Sequence, residues 1–153
     1  MSYELLILLH ISSVVIMLGV GGGSAFYKFM ADRSKNLEVI VHTNTTVVFA
    51  DWIFTTPSVI ALPITGLLLM SKTGYTLDDN WLFISLILYI FSAVLWLIAV
   101  YLQMKMKDMA IKAQKEGDTL GDEYYVLVKQ WIFLGIFSFL AVGVIFVLMG
   151  LKI

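Results

Sequence analysis

The chain contains no cysteine among its 153 residues, and it has only two prolines and two histidines. The absence of cysteine excludes disulfides and thiolate metal sites, and it leaves the redox compartment open. Charged residues make up only 14% of the chain, and a net charge of −1 without a basic patch gives no sign of nucleic-acid binding. The chain is instead 60% hydrophobic, with a mean hydropathy of +0.93. A soluble domain of this length cannot bury so much apolar surface, so the composition predicts a membrane protein whose first partner is the lipid bilayer.

Four apolar segments reach the length of about 20 residues that a membrane-spanning helix requires. They cover residues 4–27, 47–70, 81–104 and 131–151. None alternates with a period of two, which favours helices over a transmembrane barrel. We therefore predict an all-α integral membrane four-helix bundle that forms a single domain over residues 1–153. Helix-compatible stretches at 36–46 and 104–117 predict that helices continue beyond the membrane, with Gly117 as a C-cap.

Basic residues are distributed unevenly over the connections between these segments. Eight of the ten lie in or beside the first and third connections: Lys28, Arg33, Lys35, Lys105, Lys107, Lys112, Lys115 and Lys129. The positive-inside rule places those two connections in the cytoplasm and both termini outside. The helix extensions are then predicted to lie on the cytoplasmic side.

Polar and small residues recur every three or four positions along the first three spans, so each of these helices carries one polar face. The three stripes are His10, Ser13, Met17, Gly21, Ser24 and Lys28; Asn44, Val48, Asp51, Thr55, Ser58 and Thr65; and Ser85, Tyr89, Ser92, Trp96 and Gln103. Exposing them to lipid would leave polar groups unsatisfied, so we expect the three faces to converge on the interior. Close helix packing explains the serine, threonine and glycine members equally well.

Asp51 is the exception, because it lies well inside the second span. A charged side chain at the centre of a membrane helix costs about 2.5–3.5 kcal/mol on insertion scales. No lysine or arginine is expected at its depth, which leaves two interpretations. Asp51 is either a neutral carboxyl group hydrogen-bonded to Thr55, Trp96 or Tyr89, or a group that relays protons or holds a ligand. We predict a protonatable group that is hydrogen-bonded across the second and third spans.

The two prolines both lie in the second span. Each removes a hydrogen bond from the helix, so Pro57 and Pro63 predict a bend and free carbonyls near Ile53 and Val59.

The two histidines are predicted to lie far apart. His10 is two turns into the first helix, where it is either a haem or metal ligand or a hydrogen-bonded structural residue. His42 is expected near the cytoplasmic interface, so one haem ligated by both histidines of a chain is not expected.

The segment LLHISSVVIMLGVGGGSAFYKFMADR (8–33), followed by ADWIFTTPSVIALPITG (50–66), resembles an uncharacterised family of bacterial four-helix predicted integral membrane proteins. The resemblance covers nearly the whole chain and implies a multi-pass protein of the bacterial inner membrane. The positions that match the family pattern are Asp51, Trp52, Pro57, Pro63, Thr65 and Gly66. Typical members carry a histidine five residues before the aspartate, where this chain has Thr46, and His42 lies one helical turn earlier.

The first-helix segment LHISSVVIMLGVG is distantly similar to the opening of HemJ-type protoporphyrinogen oxidases and CopD-type copper-resistance membrane proteins. HemJ-type proteins bind haem b through a histidine of the first helix, which implies a haem or metal ligand at His10. The basic residues that they keep in later helices have no clear counterpart here, which argues against the same reaction.

Three hypotheses for the function follow. The first is a haem-b-binding protein in electron transfer or a redox step, an oxidoreductase if it is an enzyme, with a redox partner. Its cofactor contacts would be His10, Met17, Tyr89, Trp96 and Trp52, and Asp51 would handle a proton. The second is a non-catalytic membrane subunit or assembly factor. The third is a transporter for a metal ion, a proton or a small solute, expected as a homodimer because four helices enclose little space.

Overall fold

The computed structural model describes residues 1–152, and within this range all regular structure is helical. The elements are α1 (Tyr3–Ser34), α2 (Leu37–Ala50), a π-helical turn (Asp51–Thr55), α3 (Thr56–Thr73), α4 (Asn80–Glu116) and α5 (Asp122–Leu151). The segment Leu37–Thr73 runs without a break from α2 through the π-helical turn into α3, so the chain has four helices of membrane length. The predicted all-α membrane fold is confirmed, and each predicted span lies inside one of these helices.

Short connections at one end of the bundle turn the chain back on itself. The α1–α2 connection is only two residues long: Lys35 ends α1 in the left-handed conformation (φ 54°), and the Asn36 side chain accepts hydrogen bonds from the backbone N–H groups of Glu38 and Val39. Gly117 ends α4 at φ 68°, which confirms the predicted C-cap. We call the end with the α1–α2 and α4–α5 connections the stem end, and the opposite end the terminal end.

The helices differ in how closely they pack. Helix α4 packs along α5, α1 packs along α3, and α2 contacts both α1 and α4. The cluster of buried apolar side chains lies toward the stem end and consists of Ile40, Ala99, Leu102, Met106, Ala110, Tyr124, Leu127, Val128 and Trp131. Along the four apolar windows only 6–22% of residues are buried. Most apolar side chains there face outward, as is expected of helices whose solvent is lipid.

The three polar stripes point inward, as predicted. Their buried members are Ser13, Lys28, Asn44, Val48, Asp51, Thr55, Ser58, Thr65, Ser85, Ser92 and Gln103. The remaining members are half-buried: His10, Met17, Gly21, Ser24, Tyr89 and Trp96. The helical period of the polar residues therefore identified the interior faces correctly.

The second span changes its winding just before its first proline. The Thr56 N–H bonds to the Asp51 carbonyl, five residues back, and the Asp51 N–H is shared between the carbonyls of Val47 and Val48. Pro57 follows directly and has no N–H to offer to an α-helical bond. Single π-helical turns inside α-helices occur often at functional sites.

The second proline leaves an acceptor that another helix uses. Because Pro63 has no N–H, it cannot satisfy the carbonyl four residues earlier, at Val59. The Tyr89 hydroxyl of α4 donates to that carbonyl. The predicted free carbonyl at Val59 is thus confirmed, and it anchors α4 to α3.

Candidate functional site

A cavity of about 520 Å³ lies between α1, the second span, α4 and α5. Its lining is mostly apolar and aromatic, and its polar members are Ser24, Asp51, Thr55, Tyr89, Ser92, Gln103 and Ser138. The volume lies within the range of roughly 300–1,000 Å³ that is typical of small-molecule pockets, which are likewise mostly apolar with a few placed polar groups. The cavity is therefore the candidate site of this protein.

Asp51 lines the cavity at the start of the π-helical turn and is only 5% exposed. The Thr55 hydroxyl donates to its Oδ1 at 2.8 Å, which confirms the predicted bond within the second span. From α4, the side chain of Gln103 faces the same carboxyl group. No positively charged side chain lines the cavity, so this carboxyl group has no salt-bridge partner in residues 1–152.

The predicted bonds from Tyr89 and Trp96 to Asp51 are wrong. The Tyr89 hydroxyl is taken up by the Val59 carbonyl, and the Trp96 indole makes no hydrogen bond within the described residues. The residue of the third span that faces Asp51 is Gln103 instead. The aromatic pair still lines the same cavity.

Gln103 is the site residue that sequence reasoning passed over. It was placed on an interior stripe but given no role, because an amide near a helix end is common. Its side chain is 7% exposed, and its Oε1 atom is the only buried side-chain oxygen or nitrogen in residues 1–152 without a hydrogen-bond partner. A buried acceptor without a donor costs about 1–3 kcal/mol, so this oxygen is a point of unused binding capacity.

The other hydroxyl groups of the cavity are already engaged. Ser92 and Ser138 bond to each other at 2.7 Å across α4 and α5. With Thr55 bound to Asp51 and Tyr89 bound to Val59, the acid–amide pair Asp51–Gln103 is the polar feature of the cavity that internal bonds leave incomplete.

His10 lies outside this cavity, against α3. Its Nδ1 is 2.8 Å from the Thr65 hydroxyl, which also lies 2.7 Å from the Ala61 carbonyl. Since the hydroxyl donates its one proton to the carbonyl, Nδ1 is the donor of the histidine bond, and Nε2 keeps its lone pair. Gly66 makes room for the ring, because a Cβ atom there would lie 3.6 Å from His10 Cε1.

The structure brings together only part of the predicted cofactor set. Met17, Tyr89 and Trp96 line the cavity with Asp51, whereas His10 and Trp52 do not. Trp52 is 58% exposed on the outer surface of the second span. Within residues 1–152 there is also no group of three histidine, aspartate or glutamate side chains that could hold a metal ion.

A second buried polar cluster closes the bundle toward the stem end. Lys28 Nζ donates to Asp32 Oδ2 at 2.9 Å and to Asn44 Oδ1 at 2.7 Å, and Tyr124 Oη donates to Asp32 Oδ1 at 2.6 Å. The Asn44 amide donates in turn to Tyr124 Oη at 2.9 Å. These four side chains, which we call the Lys28 network, are 0–4% exposed and join α1, α2 and α5.

The placement of Lys28 in the first connection was wrong. Lys28 and Arg33 both lie inside α1, which continues to Ser34, and Lys28 is fully buried. Its burial is tolerated because an acid on the same helix, an amide and a hydroxyl surround the ammonium group. The ammonium also lies 5.4 Å from the centre of the Trp131 ring, and this ring lines the cavity. Trp131 therefore links the Lys28 network to the cavity.

Four membrane-length helices around an interior cavity define a multi-pass integral membrane protein. The chain belongs to the family of predicted integral membrane proteins DUF2269, whose family model matches residues 4–153. The resemblance seen in the sequence is thereby confirmed for this family. The curated proteins and the solved structures gave no match.

The Lys28 network generates a prediction about stability. Removing one partner of a buried ion pair leaves the other charge uncompensated, so Lys28→Met should destabilise the fold by about 3–5 kcal/mol. The double variant Lys28→Met/Asp32→Leu should recover part of this loss, because no charge remains buried. Thermal unfolding in detergent measures both effects.

The matched control is the pair Lys105–Glu123, whose atoms are 3.3 Å apart at the surface. Exposed pairs contribute little, so Lys105→Met should leave the unfolding temperature nearly unchanged. Equal destabilisation by the two lysine variants would contradict a structural role specific to the Lys28 network.

Proposed function

We propose that this protein binds a small, lipid-soluble molecule in the cavity between its helices, as a membrane carrier of small solutes. The observation that supports this proposal is the incomplete acid–amide pair Asp51–Gln103 inside an otherwise apolar cavity. Intramembrane carboxyl groups are retained where they pair or where they meet a substrate, and Asp51 has no charged partner. The apolar lining favours a ligand that arrives from the bilayer.

The winding of the second span supports the same proposal. The π-helical turn begins at Asp51, so the helix is irregular at the residue that would meet the ligand. Irregular membrane helices are tolerated where they line a cavity, and broken helices mark many transport sites. The cavity is formed within a single chain, so the proposal does not depend on the predicted homodimer.

A photoreactive neutral probe tests occupancy of the cavity. We expect a trifluoromethylphenyl diazirine, added to the protein in nanodiscs, to label Asp51 and Gln103, although these side chains are buried. Gly21 lines the cavity, and a side chain there meets open space, so Gly21→Leu should fill the cavity and remove most of this labelling. Mass spectrometry of the labelled peptides gives the readout.

Gly19→Leu is the matched control, because Gly19 also has open space around it, lies on the same helix, and does not line the cavity. It should keep wild-type labelling at Asp51 and Gln103. If the two residues were not labelled, or were labelled equally in both variants, the cavity would not be a ligand site.

Haem b remains a second proposal, and one feature of His10 favours it. The Nδ1 bond to Thr65 leaves Nε2 as a free donor atom in a fixed orientation, as is common for histidines that ligate metals. The full predicted ligand set does not fit one haem, because His10 lies outside the cavity that holds Met17, Tyr89 and Trp96. A haem on His10 would therefore lie elsewhere, and no redox step is derived through it.

An absorption spectrum decides the haem proposal. Protein purified from haem-replete cells should show a Soret band that shifts on reduction with dithionite. This band should vanish in His10→Ala and persist in His42→Ala, whose side chain is exposed on α2. A colourless wild-type preparation would reject haem and leave the cavity proposal intact.

We also propose the bacterial inner membrane as the location, with the stem end in the cytoplasm, on the basis of the eight basic residues that lie toward it. Because the chain has no cysteine, single cysteines can report topology without background. An impermeant maleimide should label Thr76→Cys in intact spheroplasts, and Asp118→Cys only after permeabilisation. The reverse pattern would invert the proposed orientation.

A further inference from the structure

We infer that the ligand of the cavity is a protonated amine that carries at least one N–H group on an aromatic or apolar body. This inference rests on the proposed function, since it names the class of molecule that the acid–amide pair would recognise. It follows from three properties of the cavity: its charge, its direction of hydrogen bonding and its aromatic walls.

The charge of the cavity is set by one side chain. Asp51 is the only carboxyl group in the lining, and no lysine, arginine or histidine accompanies it. The nearby cation Lys28, on the other side of Trp131, is already paired with Asp32 at 2.9 Å. A cationic ligand would therefore meet an acid that no internal charge neutralises, and in this apolar setting the attraction is weakly screened.

The direction of hydrogen bonding points to a donor. The hydroxyl groups of Thr55 and Tyr89 donate to Asp51 and to the Val59 carbonyl, so they have no proton left to offer. The unpartnered atom beside the carboxyl group is an acceptor, Gln103 Oε1. A ligand that donates to it removes the cost of an unsatisfied buried oxygen.

The walls suit the body of such a ligand. Trp96, Trp131, Tyr89 and Phe139 line the same space. The faces of aromatic rings attract cations and stack on other rings, and tryptophan is the strongest of these partners. A neutral alcohol could donate to Gln103 but would gain nothing from the carboxylate or from the ring faces, so the amine is favoured.

Three probes of similar size separate the contributions. They are 1-naphthylmethyl(methyl)amine, which is a cation with N–H groups at neutral pH; its quaternary trimethylammonium analogue, which is a cation without N–H; and 1-naphthalenemethanol, which is a neutral donor. Binding is measured by equilibrium dialysis against the full chain in zwitterionic nanodiscs, with empty nanodiscs as the background.

We expect the amine to bind most tightly. Asp51→Asn should weaken amine binding about ten- to a hundredfold, as the loss of a hydrogen bond to a charged group does, and should leave the alcohol nearly unchanged. The trimethylammonium compound should bind a few-fold to about tenfold more weakly than the amine, and Gln103→Leu should erase this difference. Gly19→Leu should behave like the wild type with all three probes.

Two results would overturn the inference, and they are distinguishable from failure of the cavity itself. If the alcohol bound as well as the amine, and Asp51→Asn changed neither, the ligand would not be a cation although the cavity binds molecules. If no probe bound above empty nanodiscs while the diazirine labelled Asp51 and Gln103, the amine class would be wrong and the proposed function would stand. Absence of both binding and labelling would reject both proposals.

Discussion

The Lys28 network is the interaction on which the arrangement of the bundle depends. A lysine without exposure is tolerated only because Asp32, Asn44 and Tyr124 satisfy it with bonds of 2.6–2.9 Å among the four groups. These groups come from α1, α2 and α5, so the three helices can meet in one register only. In lipid, apolar packing alone does not specify such a register, because the tails outside are as apolar as the side chains inside. Trp131, which contacts the network and lines the cavity, is held in place by the same constraint.

The two prolines impose the second constraint, and they shape the middle of the second span. Pro57 follows the turn in which the helix widens at Asp51, and Pro63 frees the Val59 carbonyl that Tyr89 then binds. The missing N–H groups thus become useful twice: one lies beside the irregular turn at the carboxyl group, and the other recruits α4. Tyr89 cannot serve Asp51 because it is already engaged. That leaves Gln103, which lies further along α4, as the group that faces the acid.

Most of the fold could be predicted from the sequence because hydropathy, helical period and capping residues each act locally. Four apolar segments, three inward stripes and the Gly117 cap all follow from residue order alone. The errors came from tertiary partners. Lys28 lies on the first stripe and Asn44 on the second, so their positions did indicate burial, but the rule that counts basic residues as loop residues outweighed it. Nothing local in Tyr124 indicates that it completes their network. The partner of Asp51 was likewise decided by competition for a carbonyl, which no spacing reveals.

The chain buries two aspartates, and their surroundings are opposite. Asp32 accepts bonds from an ammonium group and a phenol, and no ligand is needed to complete it. Asp51 receives one hydroxyl bond, faces an amide whose oxygen has no donor in the described residues, and lines open space. If both acids served only to hold helices together, selection for stability would favour the same closed pattern at each, because unsatisfied buried groups lower the free energy of unfolding. The difference is accounted for when Asp32 organises the bundle and Asp51 awaits a donor from outside the chain.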